Sequence, residues 1–309
     1  MNKGGKKIMN IERETALIQS ALSGDSNSLT ELLSEVKDSV FNLSLRMLGN
    51  IFDAEDATQE ILLKIVMNLG SFKQQSRFST WVYRIAVNHL ITVQRKRSFQ
   101  EQLTFELMQK DLDQSLPTKE SAFSDLEEDE LAEELKLSCT NIMLQCLKPE
   151  DRCIFILGTM FKMNSQLASG LLQITPETYR KKLSRARKRM GKFLENYCEH
   201  AGGKCDCKRR VPFAIKQHRL NPNRLDYSSL KKFDLVEIQQ QKENMEFMDN
   251  QTLLFEALSH YQSSFDPPKF LSKLLESKEL LELIKEDATY DLLFVSIREK
   301  QSARMVSAN

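Results

Sequence analysis

SFKQQSRFSTWVYRIAVNHLITVQRKR, residues 71–97, holds the only tryptophan of the chain and three further aromatics, Phe72, Phe78 and Tyr83. Read at 3.6 residues per turn, it predicts a helix with two faces. Phe78, Val82, Ile85, Ala86, Leu90 and Val93 form an apolar stripe that enters a core. Trp81, Arg84, Asn88, Thr92 and Arg95 line up beside it. The polar loop Lys73-Gln74-Gln75-Ser76-Arg77 precedes them. Aromatics interleaved with cations suit a surface that stacks on unpaired bases while holding phosphates. The alternative is an amphipathic core helix in which Trp81 merely packs, since Trp and Arg also neighbour each other in ordinary cores.

Upstream, Ile11 opens a helix that Ser23-Gly24-Asp25-Ser26 breaks. A longer helix runs from Leu29 to Leu48 and ends at Gly49-Asn50. Asp53 is expected to open and cap the third helix, with Asp56 three residues on as its capping-box acid. Ala57, Ile61, Leu62, Ile65, Val66 and Leu69 form its buried stripe. Asp56, Gln59, Glu60 and Lys64 lie on the outer side. The helix dipole accounts for acids in the first turn but less well for Glu60, a turn further in. The stretch 71–97 then completes a four-helix bundle over residues 10–97.

Downstream the composition changes. Lys119 to Lys136 carries eight acids and two bases, whereas Tyr179 to Lys192 carries eight bases and no acid. The formal net charge of +1 hides this segregation. A local basic field finds nucleic acid even on a neutral protein. Residues 98–130, low in hydrophobicity and rich in charge, read as an acidic linker. A second helical unit, residues 131–195, starts near Leu131. Cys139, Cys146 and Cys153 recur there every seven residues and read as small apolar core side chains. Leu167, Ala168, Leu171 and Leu172 mark a short helix, Gln173-Ile174 a turn, and Thr175-Pro176 the cap and first residue of the next helix. Tyr179, Leu183, Ala186 and Met190 face inward. Arg180, Lys181, Ser184, Arg185, Arg187, Lys188 and Arg189 point out. Two short helices joined by a tight turn, the second cationic, describe a helix-turn-helix.

Two blocks resemble a sigma subunit of bacterial RNA polymerase, of the extracytoplasmic-function type in the sigma-70 family. The first is Asp53-Ala-Glu-Asp-Ala-Thr-Gln-Glu60 with Arg77-Phe-Ser-Thr-Trp-Val-Tyr-Arg-Ile-Ala-Val-Asn88. The second is Thr178-Tyr-Arg-Lys-Lys-Leu-Ser-Arg-Ala-Arg-Lys-Arg189. They stand in the family's order with an acidic linker between them. The resemblance covers roughly residues 10–195. It implies an all-α chain with a region 2 bundle and a region 4 helix-turn-helix. Asp56, Gln59 and Glu60 would grip the coiled coil of the polymerase clamp. Trp81, Arg84, Asn88 and Arg95 would bind the melted −10 element. The second helix of the helix-turn-helix would read the −35 element, with Arg180, Lys181, Ser184 and Arg185 in the groove and Arg187, Lys188 and Arg189 on phosphates. Core polymerase and promoter DNA are the implied partners, with an anti-sigma factor as a further candidate. Two departures stand out. Ser169, Gly170 and Gln173 replace the Ala, acidic residue and turn Gly of the family's first helix. The chain also continues for over a hundred residues past the basic helix.

That extension, residues 196–309, opens with Cys198-Glu-His-Ala-Gly-Gly-Lys-Cys-Asp-Cys-Lys-Arg-Arg210. Cys198, His200, Cys205 and Cys207 have the chemistry of zinc ligands, but C-x-H and C-x-C gaps are tighter than usual. The segment is therefore read mainly as a hinge, with no cofactor assigned. Helical patterns follow at Leu230 to Gln241, Gln251 to Tyr261 and Phe270 to Ile284.

No apolar h-region follows the basic start, and no stretch approaches the ~20 apolar residues of a membrane helix, so a cytoplasmic location is expected. A Gly-rich phosphate loop, a patterned carboxylate pair and a nucleophile with its base are all missing, so no enzymatic activity is expected. The competing function is a helix-turn-helix regulator that binds duplex DNA without polymerase. It has no use for a base-stacking surface with its own acidic docking helix.

Overall fold

The computed structural model describes residues 11–97, 103–114, 124–232, 255 and 260–276. Among these the regular structure is helical, with isolated bridges but no strand. The helices are α1 (Ile11–Leu22), α2 (Ser26–Leu48), α3 (Ile51–Asn68), α4 (Phe78–Arg97), α5 (Phe105–Leu112), α6 (Asp125–Gln145), α7 (Pro149–Phe155), α8 (Ser165–Leu172), α9 (Pro176–Tyr197), α10 (Cys207–Lys216) and α11 (Pro267–Glu276). No helix among the described residues is long and apolar enough to cross a membrane. The all-α fold matches the expectation. The chain divides into two compact units: Met1–Phe41, Glu55–Ala86 and Ser263–Asn309 in one, Asn42–Ala54 and Val87–Gln262 in the other.

In the first unit the apolar stripes expected of α3 and α4 are buried, among them Ile61, Leu62, Ile65, Val66, Phe78, Val82 and Ala86. Asp25 caps α2, its Oδ2 accepting from the Ser28 N–H at 2.9 Å and the Ser28 hydroxyl at 2.7 Å. The start of α4 is held from a distance. Glu14 of α1, buried, accepts from the Phe78 N–H at 2.8 Å and from Arg77 Nε at 3.1 Å. A carboxylate at a helix N-terminus meets both unsatisfied N–H groups and the positive end of the dipole. Periodicity gives no sign of this contact, because Glu14 is a polar residue in an ordinary amphipathic helix. The C-terminal segment also joins this unit. Lys37 Nζ donates to the carbonyls of Ser263 and Phe265, Asp38 Oδ1 accepts from the Ser263 N–H at 2.8 Å, and Ser264 Oγ donates to Glu55 Oε1 at 2.7 Å.

The second unit begins with a correction. α3 starts at Ile51, not Asp53, and Asn50 is its cap. The Asp53 N–H donates to Asn50 Oδ1 at 2.9 Å, and Asn50 Nδ2 donates back to Asp53 Oδ2 at 2.6 Å. Asp53 thus takes the reciprocal place three residues in. Further along, Arg152 is buried with its guanidinium spent on main-chain oxygens. It donates to Leu144 O at 2.9 Å, Met47 O at 2.6 Å, and Gln145 O and Leu147 O at 3.0 Å each. These include the orphan carbonyls that end α6, where a cation also meets the negative end of the dipole. Burial pulls the Arg152 pKa down to about 10, so it stays charged near neutrality.

The stretch read as an acidic linker contains more structure than a solvated spacer. Thr104 caps α5, accepting from the Leu107 N–H at 3.2 Å. Phe105 and Met108, three residues apart, are buried, with the Phe105 ring 5.1 Å from that of Phe193 in α9. The second helical unit was expected from Leu131. α6 instead begins at Asp125, because Ser124 N and Oγ both donate to Glu127 Oε2. The acids expected in a linker therefore form the first turns of a helix, where the dipole favours them.

The extension holds a helix that periodicity missed, α10, whose Val211 and Ala214 pack with Leu131 and Ala132 of α6. Of the three helices expected there, Gln251 to Tyr261 lies almost wholly outside the described residues. Leu230 to Gln241 is described only to Lys232, which is not helical. The third is present as α11, starting at Pro267 and described to Glu276.

Candidate nucleic-acid interface

α3 turns Ala57, Ile61, Leu62, Ile65 and Val66 inward, and its period of 3.6 leaves Asp56, Gln59 and Glu60 exposed on the other side. These three lie where the sequence placed them. On α4, Trp81 is half-buried and Arg84 exposed. Trp81 belongs to a cluster of three rings: its centroid is 5.2 Å from Phe72 and 5.8 Å from Phe78, and the Phe78 ring stacks on it. Phe72 and Phe78 are both buried, so the indole is buttressed from behind while part of it stays open. Packing and base stacking are compatible here, since one face of a ring does each.

Farther along α4, Asn88, Thr92 and Arg95 are exposed but line a cleft of about 300 Å³ together with Gln173, Ile174 and Lys182 of the helix-turn-helix. Arg95 closes it with an ion pair, Nε and Nη2 donating to Glu150 Oε1 at 2.9 and 2.7 Å. The structure thus brings Asn88 and Arg95 next to the element expected to read a different promoter site.

α8 and α9 form the expected helix-turn-helix. Asn164 caps α8 and Thr175 caps α9, the Thr175 hydroxyl accepting from the Thr178 N–H at 3.1 Å, with Pro176 as the first helical residue. Gln173 takes the turn in the left-handed region at φ 54°, ψ 40°, where the family's glycine has no side-chain penalty. The turn survives the substitution at a cost of about 1 kcal/mol. Ser169, standing for Ala, is buried with its hydroxyl on the Gln166 carbonyl, and Gly170 faces open space. Of the apolar positions that mark α8, Leu167 is exposed.

The inward face of α9 is Tyr179, Ala186 and Met190. Tyr179 Oη donates to Ile154 O at 3.3 Å. A π-turn, Ile156–Met160, follows α7, and Gly158 in it permits close approach: a Cβ there would lie 2.6 Å from both Leu183 Cδ2 and Tyr179 Oη. Arg187, expected on phosphates, is half-buried and turned onto this π-turn, donating to Gly158 O and Thr159 Oγ1 at 3.1 Å each. It holds α9 in place. Arg189, also expected on phosphates, is exposed with its guanidinium over the Phe105 ring. Arg180, Lys181, Ser184, Arg185 and Lys188 are exposed. Arg180 donates to Ser165 Oγ, and Lys181 pairs with Glu177 at 2.6 Å.

The cysteines divide between core and loop. Cys146 and Cys153 are core residues, as expected, and burial pushes both thiols up to about 12. Cys139 is half-buried, and burial likewise pushes its thiol up to about 12. His200 and Cys207 have their donor atoms within 4.8 Å of one another and of a Glu199 carboxylate oxygen.

Residues 32–100 match the family Sigma-70 region 2. The chain is 39% identical over 80 residues to ECF RNA polymerase sigma factor SigW of Bacillus subtilis, covering 26% of this chain and 43% of SigW. It is 26% identical over 192 residues to RNA polymerase sigma-H factor of Pseudomonas aeruginosa, covering 60% of this chain and 95% of that protein. To the ECF RNA polymerase sigma-E factor of Haemophilus influenzae it is 30% identical over 155 residues, covering 45% of this chain and 80% of that protein. With its region 2 match and a likeness that spans most of a relative's length, the chain belongs to the extracytoplasmic-function sigma factors of the sigma-70 family.

Proposed function

We propose that this chain is a promoter-specificity subunit that binds core RNA polymerase and directs transcription initiation. One observation carries the reading: a single chain holds a buttressed, partly open tryptophan beside cations and, separately, a capped cationic helix-turn-helix. The first suits unpaired bases and the second suits duplex DNA. A regulator that reads duplex alone uses only the second, and the region 2 match of residues 32–100 argues against that alternative.

The roles follow the two surfaces. Asp56, Gln59 and Glu60 dock on a basic surface of polymerase. Trp81, Arg84, Asn88 and Arg95 capture the opened −10 strand, Trp81 by stacking and the cations on phosphates. Arg180, Lys181, Ser184 and Arg185 face the −35 major groove, with Lys188 and Arg189 on its phosphates. We assign polymerase binding and −10 melting to residues 10–97 and −35 reading to 131–195, joined through 98–130, with 196–309 as an extension. Sigma factors are non-catalytic, and the chain acts by binding alone, in the cytoplasm where polymerase and DNA are. An anti-sigma factor that covers either surface would silence it.

The test is reconstitution. The full chain is mixed with core polymerase and genomic promoter fragments. Co-elution with core and run-off transcripts that start at defined sites are expected. Binding to duplex fragments without co-elution or transcripts would favour the regulator.

A further inference from the structure

Acids of the stretch read as a linker are met by cations of the extension. Lys204 Nζ donates to Asp113 Oδ1 at 2.7 Å, Arg219 Nη1 donates to Asp111 Oδ2 at 2.6 Å, and Lys208 pairs with Asp129. The three cations lie just before α10, in it and just past it. Each pair is partly exposed and contributes little alone. What they share is the place they grip. Asp111 and Asp113 stand at the C-terminal end of α5, and Asp129 stands in the first turns of α6.

Arg210 holds the same end of α5 from inside. It is buried, and its Nη1 and Nη2 donate to the carbonyls of Leu112 and Asp111 at 2.9 and 3.0 Å. A helix leaves its last carbonyls without partners, and a cation there also meets the negative end of the dipole. The rest of this part of the extension seats on α6. Val211, Ala214 and Leu220 pack with Leu131 and Ala132. Buried Glu134 accepts from the N–H groups of Tyr227 and Ser228 at 2.8 and 2.7 Å. The other end of α5 rests on α9 through Phe105 and Phe193.

This grip sets how far the chain can open. Residues 98–104 connect Arg97, the end of α4, to Phe105, the start of α5. Fully extended they reach about 25 Å. With α5 released, residues 98–124 connect α4 to α6, and their reach grows to about 90 Å. Positions −10 and −35 lie about 25 base pairs apart, roughly 85 Å of duplex. The short tether falls well below that separation and the long one matches it. The cleft shared by Asn88 and Arg95 of α4 with Gln173 and Lys182 of the helix-turn-helix is what the short tether produces.

We propose that the extension is a clasp on the linker: it pins α5 beside the helix-turn-helix and must release it before one chain occupies both promoter elements. The clasp rests on the reading of this chain as a promoter-specificity subunit. Closed, it keeps Asn88 and Arg95 in the cleft and away from opened DNA. Open, it lengthens the tether enough to span the two elements. Partly exposed ion pairs suit a contact that has to break, because their charges return to water and not to a buried site. Core polymerase and promoter DNA shift the chain toward the open form because they bind that form better.

Two sets of substitutions in the full chain test this. Lys204→Glu with Arg219→Asp sets like charges at the end of α5. Adding Asp111→Arg and Asp113→Lys restores opposite charges with their signs exchanged. Hydrogen exchange of the α5 amides in the free chain reads the clasp, and the amides of α2 and α3 report whether the fold holds. Titration with core polymerase and run-off transcription read the consequence. The first set is expected to speed exchange in α5 alone and to raise core affinity and transcript yield about 3- to 10-fold. The second set should return both toward the unaltered chain. Unchanged α5 exchange in the first set would overturn the proposal, as would faster exchange without a gain in core affinity or transcripts, or no recovery in the second set. Failure of the unaltered chain to bind core at all would overturn the promoter-subunit reading, and the clasp with it.

Discussion

α4 and α9, the two amphipathic helices we propose to face DNA, are built oppositely. α4 offers one indole, braced by Phe72 and Phe78, and a few scattered cations. α9 offers no open aromatic on its outer face, and its exposed side is dominated by cations. Stacking requires bases already unpaired, whereas a dense cationic helix needs only the regular phosphates of a duplex. On the proposed reading the difference is a division of labour, in which α9 finds the site and α4 opens it. It also separates surface from scaffold, because Arg187, identical in type to its neighbours, is spent on Gly158 and Thr159.

The largest effect is expected where both helices fail together. Reversing Asp56 and Glu60 to Lys places like charges against the polymerase surface, which costs about 3 kcal/mol or more, on the order of 100-fold in affinity for core. Both side chains are exposed, so the fold should hold, as circular dichroism would show. Unchanged affinity for core would remove these residues from the docking surface.

Next comes salt. With about five phosphates neutralised, duplex binding by the chain should weaken on the order of 10²–10³-fold between 50 and 200 mM salt. Lys188→Ala should flatten that slope by about 1, while Arg187→Ala should lower thermal stability and leave the slope nearly as it was. Equal slope changes in the two variants would erase the distinction between surface and scaffold. The smallest effect is local to the turn. Gln173→Gly should stabilise the chain by about 0.5–1 kcal/mol, because glycine takes the left-handed conformation without the Cβ penalty. Chemical denaturation measures it, and a loss of stability would mean that the Gln173 side chain contributes more than its backbone costs.

Much of this was legible in advance, and the reasons are physical. The stripes of α3, α4 and α9 repeat every 3.6 residues over long runs, so their buried and exposed faces follow from sequence. Thr175-Pro176 marks a helix start by local chemistry alone. What stayed hidden depends on contacts distant in sequence. Glu14 capping α4 and Arg152 collecting the carbonyls that end α6 leave no periodic trace. The acids from Asp125 were read as linker because composition registers charge and not the cap at Ser124 that starts a helix.

The central claim is that Trp81 acts on opened DNA and α9 on duplex. Permanganate footprinting of the −10 region, with core polymerase, on a duplex promoter and on the same promoter with a pre-melted bubble, tests it most directly. Trp81→Ala should cost about 1–3 kcal/mol of opening on the duplex. Its defect should be much smaller on the bubble, while Arg185→Ala should weaken occupancy on both. Equal impairment of Trp81→Ala on the two templates would contradict the account and return Trp81 to a packing role.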